Sequence, residues 1–73
     1  MTREEVVRNL GARLGEQVSV VFEVSGQPHI CIAKLIGVTL HGIQLEGLCW
    51  LYFEGPIKIR SVSIEEEIIY EAP

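Results

Sequence analysis

The sequence predicts a mainly β protein: an N-terminal α-helix followed by a five-stranded, strongly bent antiparallel barrel. Three observations carry that expectation. A capped amphipathic run opens the chain and stops by Gly15. Short segments then alternate apolar and polar residues, the period of strands with one buried face. Turn sequences separate them: Ser25-Gly26-Gln27-Pro28, Leu40-His41-Gly42, Glu46-Gly47 and Glu54-Gly55-Pro56.

The helix is expected over Thr2–Leu14. Thr2 and Glu5 have the spacing of a capping box. Glu4 and Glu5 lie in the first turn, where the helix dipole favours anions. Val6, Leu10 and Leu14, with Val7 beside them, form an apolar stripe that needs the sheet as its partner. Gly11 can end the regular part a turn before Gly15.

The first strand, Glu16–Val24, sets Val18, Val20, Phe22 and Val24 against Ser19, Val21 and Glu23. Pro28 cannot donate to a ladder, so the second strand is expected after it, over His29–Thr39. Its apolar residues (Ile30, Cys31, Ile32, Ala33, Leu35, Ile36) fall on both faces. A strand buried on both sides explains that, as does one that bends and swaps faces, and Gly37 suits a bend or bulge. The third strand is Ile43–Glu46. The fourth, Leu48–Phe53, places Trp50 and Tyr52 on one face and Leu51 and Phe53 on the other, so it needs covering twice. The fifth, Ile57–Ile64, sets Lys58, Arg60, Val62 and Ile64 opposite Ile57, Ile59, Ser61 and Ser63. Glu65-Glu66-Glu67 reads as a solvated charge run. Ile68-Ile69-Tyr70 reads as a short sixth segment docking on the barrel or on a neighbour.

A chain of 73 residues is expected to be one domain, 1–73, with a small core. Yet 48% of its residues are hydrophobic, which points to self-association as the way surplus apolar surface is covered. The net charge is −4 and the six cations are scattered, which argues against a duplex-DNA coat and leaves single-strand binding by stacking open. No apolar run is long enough for a membrane helix, and the N-terminus has no signal-peptide pattern. The expectation is a cytoplasmic protein with no membrane partner, its Cys31 and Cys49 free and buried. His29 with Cys31, or His41 with Cys49, falls short of the four ligands of a closed zinc site, so no metal and no cofactor are expected. Neither histidine has a nucleophile-and-acid spacing around it, and no phosphate-binding glycine loop is present, so an enzyme is not expected.

One helix and five short strands, the second bent, resemble the Sm-like barrel of the Sm, Lsm and bacterial Hfq proteins. The resemblance covers roughly Val6–Ile64. It is carried by VSVVFEVSG (Val18–Gly26), AKLIGVTLHGIQL (Ala33–Leu45) and YFEGPIKIRSV (Tyr52–Val62). It implies a homo-oligomeric ring in which the turns after strands two and four meet at a pore and bind single-stranded RNA. The RNA-binding residues so implied are Thr39, His41, Gly42, Gly55, Lys58 and Arg60. The implied subunit interface is Leu48, Trp50, Tyr52, Ile57 and Ile59. The chain departs from the family at these turns. The usual Asp falls at Thr39, the aromatic or Met at His41, the Sm-type Asn near Gly42, and the Hfq Tyr-Lys-His run at Phe53-Glu54-Gly55. Those departures and the charge support an alternative: the same fold as an oligomeric assembly module with a protein partner and no nucleic acid. A monomeric SH3-like barrel that binds peptides is a third reading.

Overall fold

Thr2 sets where the helix starts in the computed structural model, which describes residues 2–48 and 50–73. Its hydroxyl oxygen accepts the Glu5 N–H at 3.2 Å and stands 3.4 Å from the Glu5 carboxylate. α1 spans Arg3–Gly11, and the Ala12 and Arg13 amides turn back onto the Arg8 and Leu10 carbonyls. The helix therefore ends a turn before Leu14. Val6 and Leu10 are buried, but Leu14 is half exposed, so the apolar stripe is shorter than its sequence spacing indicates.

The strands are β1 (Gln17–Val24), β2 (Gln27–Val38), β3 (Gly42–Leu45), β4 (Trp50–Tyr52), β5 (Ile57–Ile64) and β6 (Glu67–Glu71). β1 to β5 follow one another around the sheet, and a β1–β5 pairing closes it into a five-stranded barrel with β6 as an extra strand. The chain is thus a mainly β, SH3/Sm-like small barrel with an N-terminal helix. All pairings are antiparallel except the β4–β5 junction, a single parallel bridge between Tyr52 and Lys58. The inner face carries Val18, Val20, Leu35, Ile43, Leu45, Leu51, Phe53, Ile59, Val62 and Ile64, closed at one end by Val6, Leu10 and Tyr70. Burial of apolar surface at roughly 25 cal/mol per Å² is the main stabilising term for such a core.

Ser25 and Gly26 join β1 to β2 with φ of 52° and 80°, the pair of positive values that a type I′ hairpin turn requires. Pro28 lies inside β2, opposite Glu23, and does not precede the strand. It is accommodated because that stretch of β2 has a neighbour on one side only, leaving its missing N–H on the open edge. β2 pairs with β1 through Lys34 and with β3 from Leu35 onward, with a register shift between Leu35 and Gly37. Neither explanation of the doubly apolar pattern holds over residues 30–36: Cys31, Ala33 and Leu35 turn inward while Ile30, Ile32 and Ile36 stay exposed on one outer face, and the irregularity lies at the register shift between Leu35 and Gly37.

Gly42 sits directly against β4, where a Cβ would fall on the Leu51 carbonyl oxygen and within 2.9 Å of the Tyr52 Cα. β4 is shorter than the expected Leu48–Phe53, but its two faces divide as expected. Leu51 and Phe53 are buried and Tyr52 is exposed. In β5 the expected alternation fails at Arg60. Val21 pairs with Ser61 whereas Phe22 pairs with Ile59, so Arg60 is the extra residue of a bulge. The bulge brings Ile59 to the same inner face as Val62 and Ile64.

After Ile64 the chain reverses at Glu65 and Glu66, both at positive φ, and β6 pairs back onto β5. The sixth segment therefore docks on its own barrel. It fills the β5 edge over Ser61–Ile64 and buries Tyr70, whose ring meets Phe53 edge-on at 4.9 Å. The Arg3 guanidinium lies 4.3 Å over the Phe53 ring, clamping α1 to this end of the barrel.

Candidate functional site

Two turns come together at one end of the barrel. Thr39 organises the first: its hydroxyl oxygen accepts the His41 and Gly42 amides at 3.1 and 3.2 Å. The second turn, after β4, is tied to the first by the Phe53 N–H donating to the His41 carbonyl at 2.9 Å. Arg3, Leu40, His41, Tyr52 and Glu54 surround a depression of about 350 Å³ there. Leu40, His41, Tyr52 and Glu54 are exposed.

Thr39 and His41 thus stand beside the second turn. Gly42 is buried under β4, and its role is backbone approach. Gly55 lies in the exposed second turn at φ 121°, and Lys58 reaches this end through its bridge to Tyr52. Arg60 is elsewhere, in the β5 bulge, 4.0 Å from Glu23. Other cations also face carboxylates: Arg13 with Glu16 and Glu67, and Lys34 with Glu46. These are exposed pairs, worth about 0–1 kcal/mol each. They do, however, replace a basic stripe by a surface of alternating sign.

The expected interface residues divide. Leu48 and Tyr52 are exposed, and Trp50 is half-buried with its ring over Gly37. Ile57 is half-buried against the core. Ile59 is fully buried inside the barrel and offers no surface to a neighbour, because the Arg60 bulge reverses its facing. His29 stacks on Phe22 at 5.6 Å, and Cys31 is a half-buried free thiol. The pairing of His41 with Cys49 falls outside the described residues. Among the described residues no three His, Cys, Asp or Glu side chains group as a metal site, and no helix is long and apolar enough to cross a membrane.

A different surface emerges on the outer face of the β1–β2 hairpin. Ile30 is 72% exposed and Ile32 61% exposed. Ile30 stands beside Val21, and Ile32 beside Ser19, whose β5 neighbour is Ser63 and whose next neighbour in β6 is the exposed Ile68. Ser19, Ser63 and Ile32 line a shallow groove together with Glu16, Glu65 and Glu66. The signal for this surface was the doubly apolar pattern of residues 30–36, which burial explains as readily as exposure does.

Fold and surfaces together define a small closed β-barrel with two candidate contact regions: the paired turns and the outer hairpin. Comparison with models of protein families, with curated proteins and with solved structures finds no match to this chain.

Proposed function

We propose that this barrel is a non-catalytic assembly module that associates with further copies of itself through its β1–β2 hairpin. The observation that carries the proposal is the pair Ile30 and Ile32, 72% and 61% exposed on one face in a segment, Ser25 to Ala33, with no Asp, Glu, Lys or Arg. Large aliphatic side chains left in water in a contiguous patch mark association surfaces. A cytoplasmic location accords with the free Cys31 thiol. The test is sedimentation equilibrium on the wild-type chain and an Ile30→Lys/Ile32→Lys variant. Concentration-dependent oligomers of the wild type and a folded, monomeric variant sustain the proposal. A wild type that stays monomeric up to about 1 mM, the weakest association worth the name, overturns it.

Single-stranded RNA at the paired turns is a second reading. It is supported by the hydrogen bond that joins the two turns and by exposed His41 and Tyr52, whose rings have the faces that base stacking needs. It ranks behind assembly because Glu54 stands in the rim and three cations are engaged with carboxylates. A ring built through strands four and five would also have to use an edge of β5 that β6 fills here. Anisotropy with labelled U-rich and A-rich oligonucleotides at about 50 mM salt decides it. Binding that weakens on His41→Ala supports the RNA reading, and no binding at that salt removes it.

A further inference from the structure

We propose that two copies of the chain join along the open edge of β2, antiparallel, about a two-fold axis at Ile30, so that the two hairpins become one continuous sheet. This inference rests on the assembly reading above and specifies its geometry.

The backbone carries the argument. β3 pairs with β2 only from Leu35, and the Glu46 N–H takes the Lys34 carbonyl. Before that point, over Gln27–Ala33, β2 has β1 on one side and no backbone partner on the other among the described residues. The two-residue turn makes Val24 and Gln27 a hydrogen-bonded pair, and such pairs alternate along an antiparallel ladder. Phe22–His29 and Val20–Cys31 are then bonded, whereas Ile30 and Ile32 lie at positions where N–H and C=O point away from β1. Lys34 follows the same parity, and its carbonyl is indeed the one that faces β3.

The open stretch Gln27–Ala33 is centred on Ile30. A two-fold axis that uses all of it sets Ile30 opposite Ile30 of the second copy. The two Ile30 residues then exchange N–H to C=O hydrogen bonds, and each Ile32 N–H reaches the Pro28 carbonyl across the axis. Pro28, lacking N–H, leaves only the Ile32 carbonyl without a ladder partner. In this register Lys34, whose carbonyl takes the Glu46 N–H, faces only Gly26 of the second copy, where the chain already turns back to its own β1. A register displaced by two residues toward Lys34 would drive Pro28 of that copy, within the strand, into the space that Glu46 fills.

Three features select a second copy as the occupant. The chain carries −4, yet Ser25 to Ala33 has no Asp, Glu, Lys or Arg, so two copies meet here without opposing carboxylates or opposing lysine and arginine side chains. Native proteins protect such edges with lysines, inward charges or proline, and over Gln27–Ala33 Pro28, near one end, is the single such device, removing one ladder donor per copy. The register also keeps both outer faces on one side, merging the exposed Ile30 and Ile32 of the two copies into a single apolar patch.

The test uses the full 73-residue chain made by chemical synthesis with N-methyl-isoleucine at position 30. The methyl group removes the outward donor and keeps the side chain and the β1 hydrogen bonds. Sedimentation equilibrium is run from about 1 µM to 1 mM on this chain, the wild type and Ile30→Lys/Ile32→Lys. The expected result is a wild-type dimer and an N-methyl chain about thirtyfold weaker or worse, since two hydrogen bonds are lost. An N-methyl chain that dimerises like wild type, beside a monomeric double-lysine variant, overturns edge pairing and leaves face-to-face assembly standing. A monomeric wild type overturns both. A second measurement does not depend on N-methylation. In this register residue 29 faces residue 31 of the other copy in a close, non-hydrogen-bonded pair, so His29→Cys, oxidised with oxidised glutathione, links to Cys31 between copies. A peptide map showing only Cys31 linked to Cys31 overturns the register.

Discussion

Gly42→Ala tests the tightest approach in the barrel. The residue has an ordinary negative-φ backbone, so the substitution carries no conformational penalty of its own. What it meets is backbone. The new Cβ falls on the Leu51 carbonyl oxygen, with the Tyr52 Cα at 2.9 Å and the Leu51 carbonyl carbon at 3.0 Å. A flexible side chain could step aside, but β4 is held by its pairing with β3 and by buried Leu51 and Phe53. The cost belongs in the upper part of the range for overpacking, about 3 kcal/mol. A domain of this size has about 4–11 kcal/mol of stability in total. The midpoint of thermal unfolding, followed by circular dichroism, should therefore fall by about 12–24 °C. Gly11→Ala is the control. It sits at the helix end with nothing within 4 Å of its Cβ, and should leave stability unchanged or raise it by about 0.5–1 kcal/mol. If Gly42→Ala unfolds at the wild-type temperature, β3 and β4 do not meet in the register Gly42–Tyr52, and the construction of the paired turns fails with it.

Three further outcomes are expected. Leu10→Ala, which empties a fully buried site under the helix, should cost about 2–5 kcal/mol in denaturant unfolding, whereas Leu14→Ala, on the same sequence stripe but half exposed, should stay within about 0.5 kcal/mol. Equal losses would mean that the helix continues through Leu14. Thr39→Ala removes the acceptor of two turn amides and should cost about 1–2 kcal/mol, with faster hydrogen exchange at His41 and Gly42 and no change at β1 amides. Thr2→Ala should lower stability by about 1 kcal/mol through loss of the N-cap, and Thr2→Ser should restore it.

The helix start, the five barrel strands and the existence of a sixth segment were legible because each rests on local chemistry, whereas the docking of that segment on its own barrel is decided by its pairing with β5. A hydroxyl three residues before a glutamate caps a helix wherever it occurs. Turn residues delimit a strand whatever its partner, and so β5, between Glu54-Gly55-Pro56 and Glu65-Glu66, matches its expected bounds of Ile57–Ile64 although its alternation fails at Arg60. The misreadings share a different cause. Leu14 continues a stripe in sequence, but Ala12 and Arg13 close the helix before it. Ile59 alternates with Arg60 on paper, but a bulge opposite Val21 and Phe22 turns it into the core. Pro28 marks a strand boundary by its own chemistry, yet lies within β2 because that edge has no neighbour to disappoint.

Candidate surfaces were less legible for the same reason. His41 stands out as a turn residue in sequence and Thr39 as the end of the strand before it, but the link of His41 to Phe53 is a contact between separate turns. The apolar run at residues 30–36 states that something must cover it and does not state what. Composition and spacing determine which segments form elements and which residues prefer to leave water. Register, bulges and the length of each pairing determine which of those preferences are met inside one chain. They depend on residues far apart in sequence: β3 stops at Leu45, so β2 keeps an open edge before Lys34, and Ile30 and Ile32 remain at the surface.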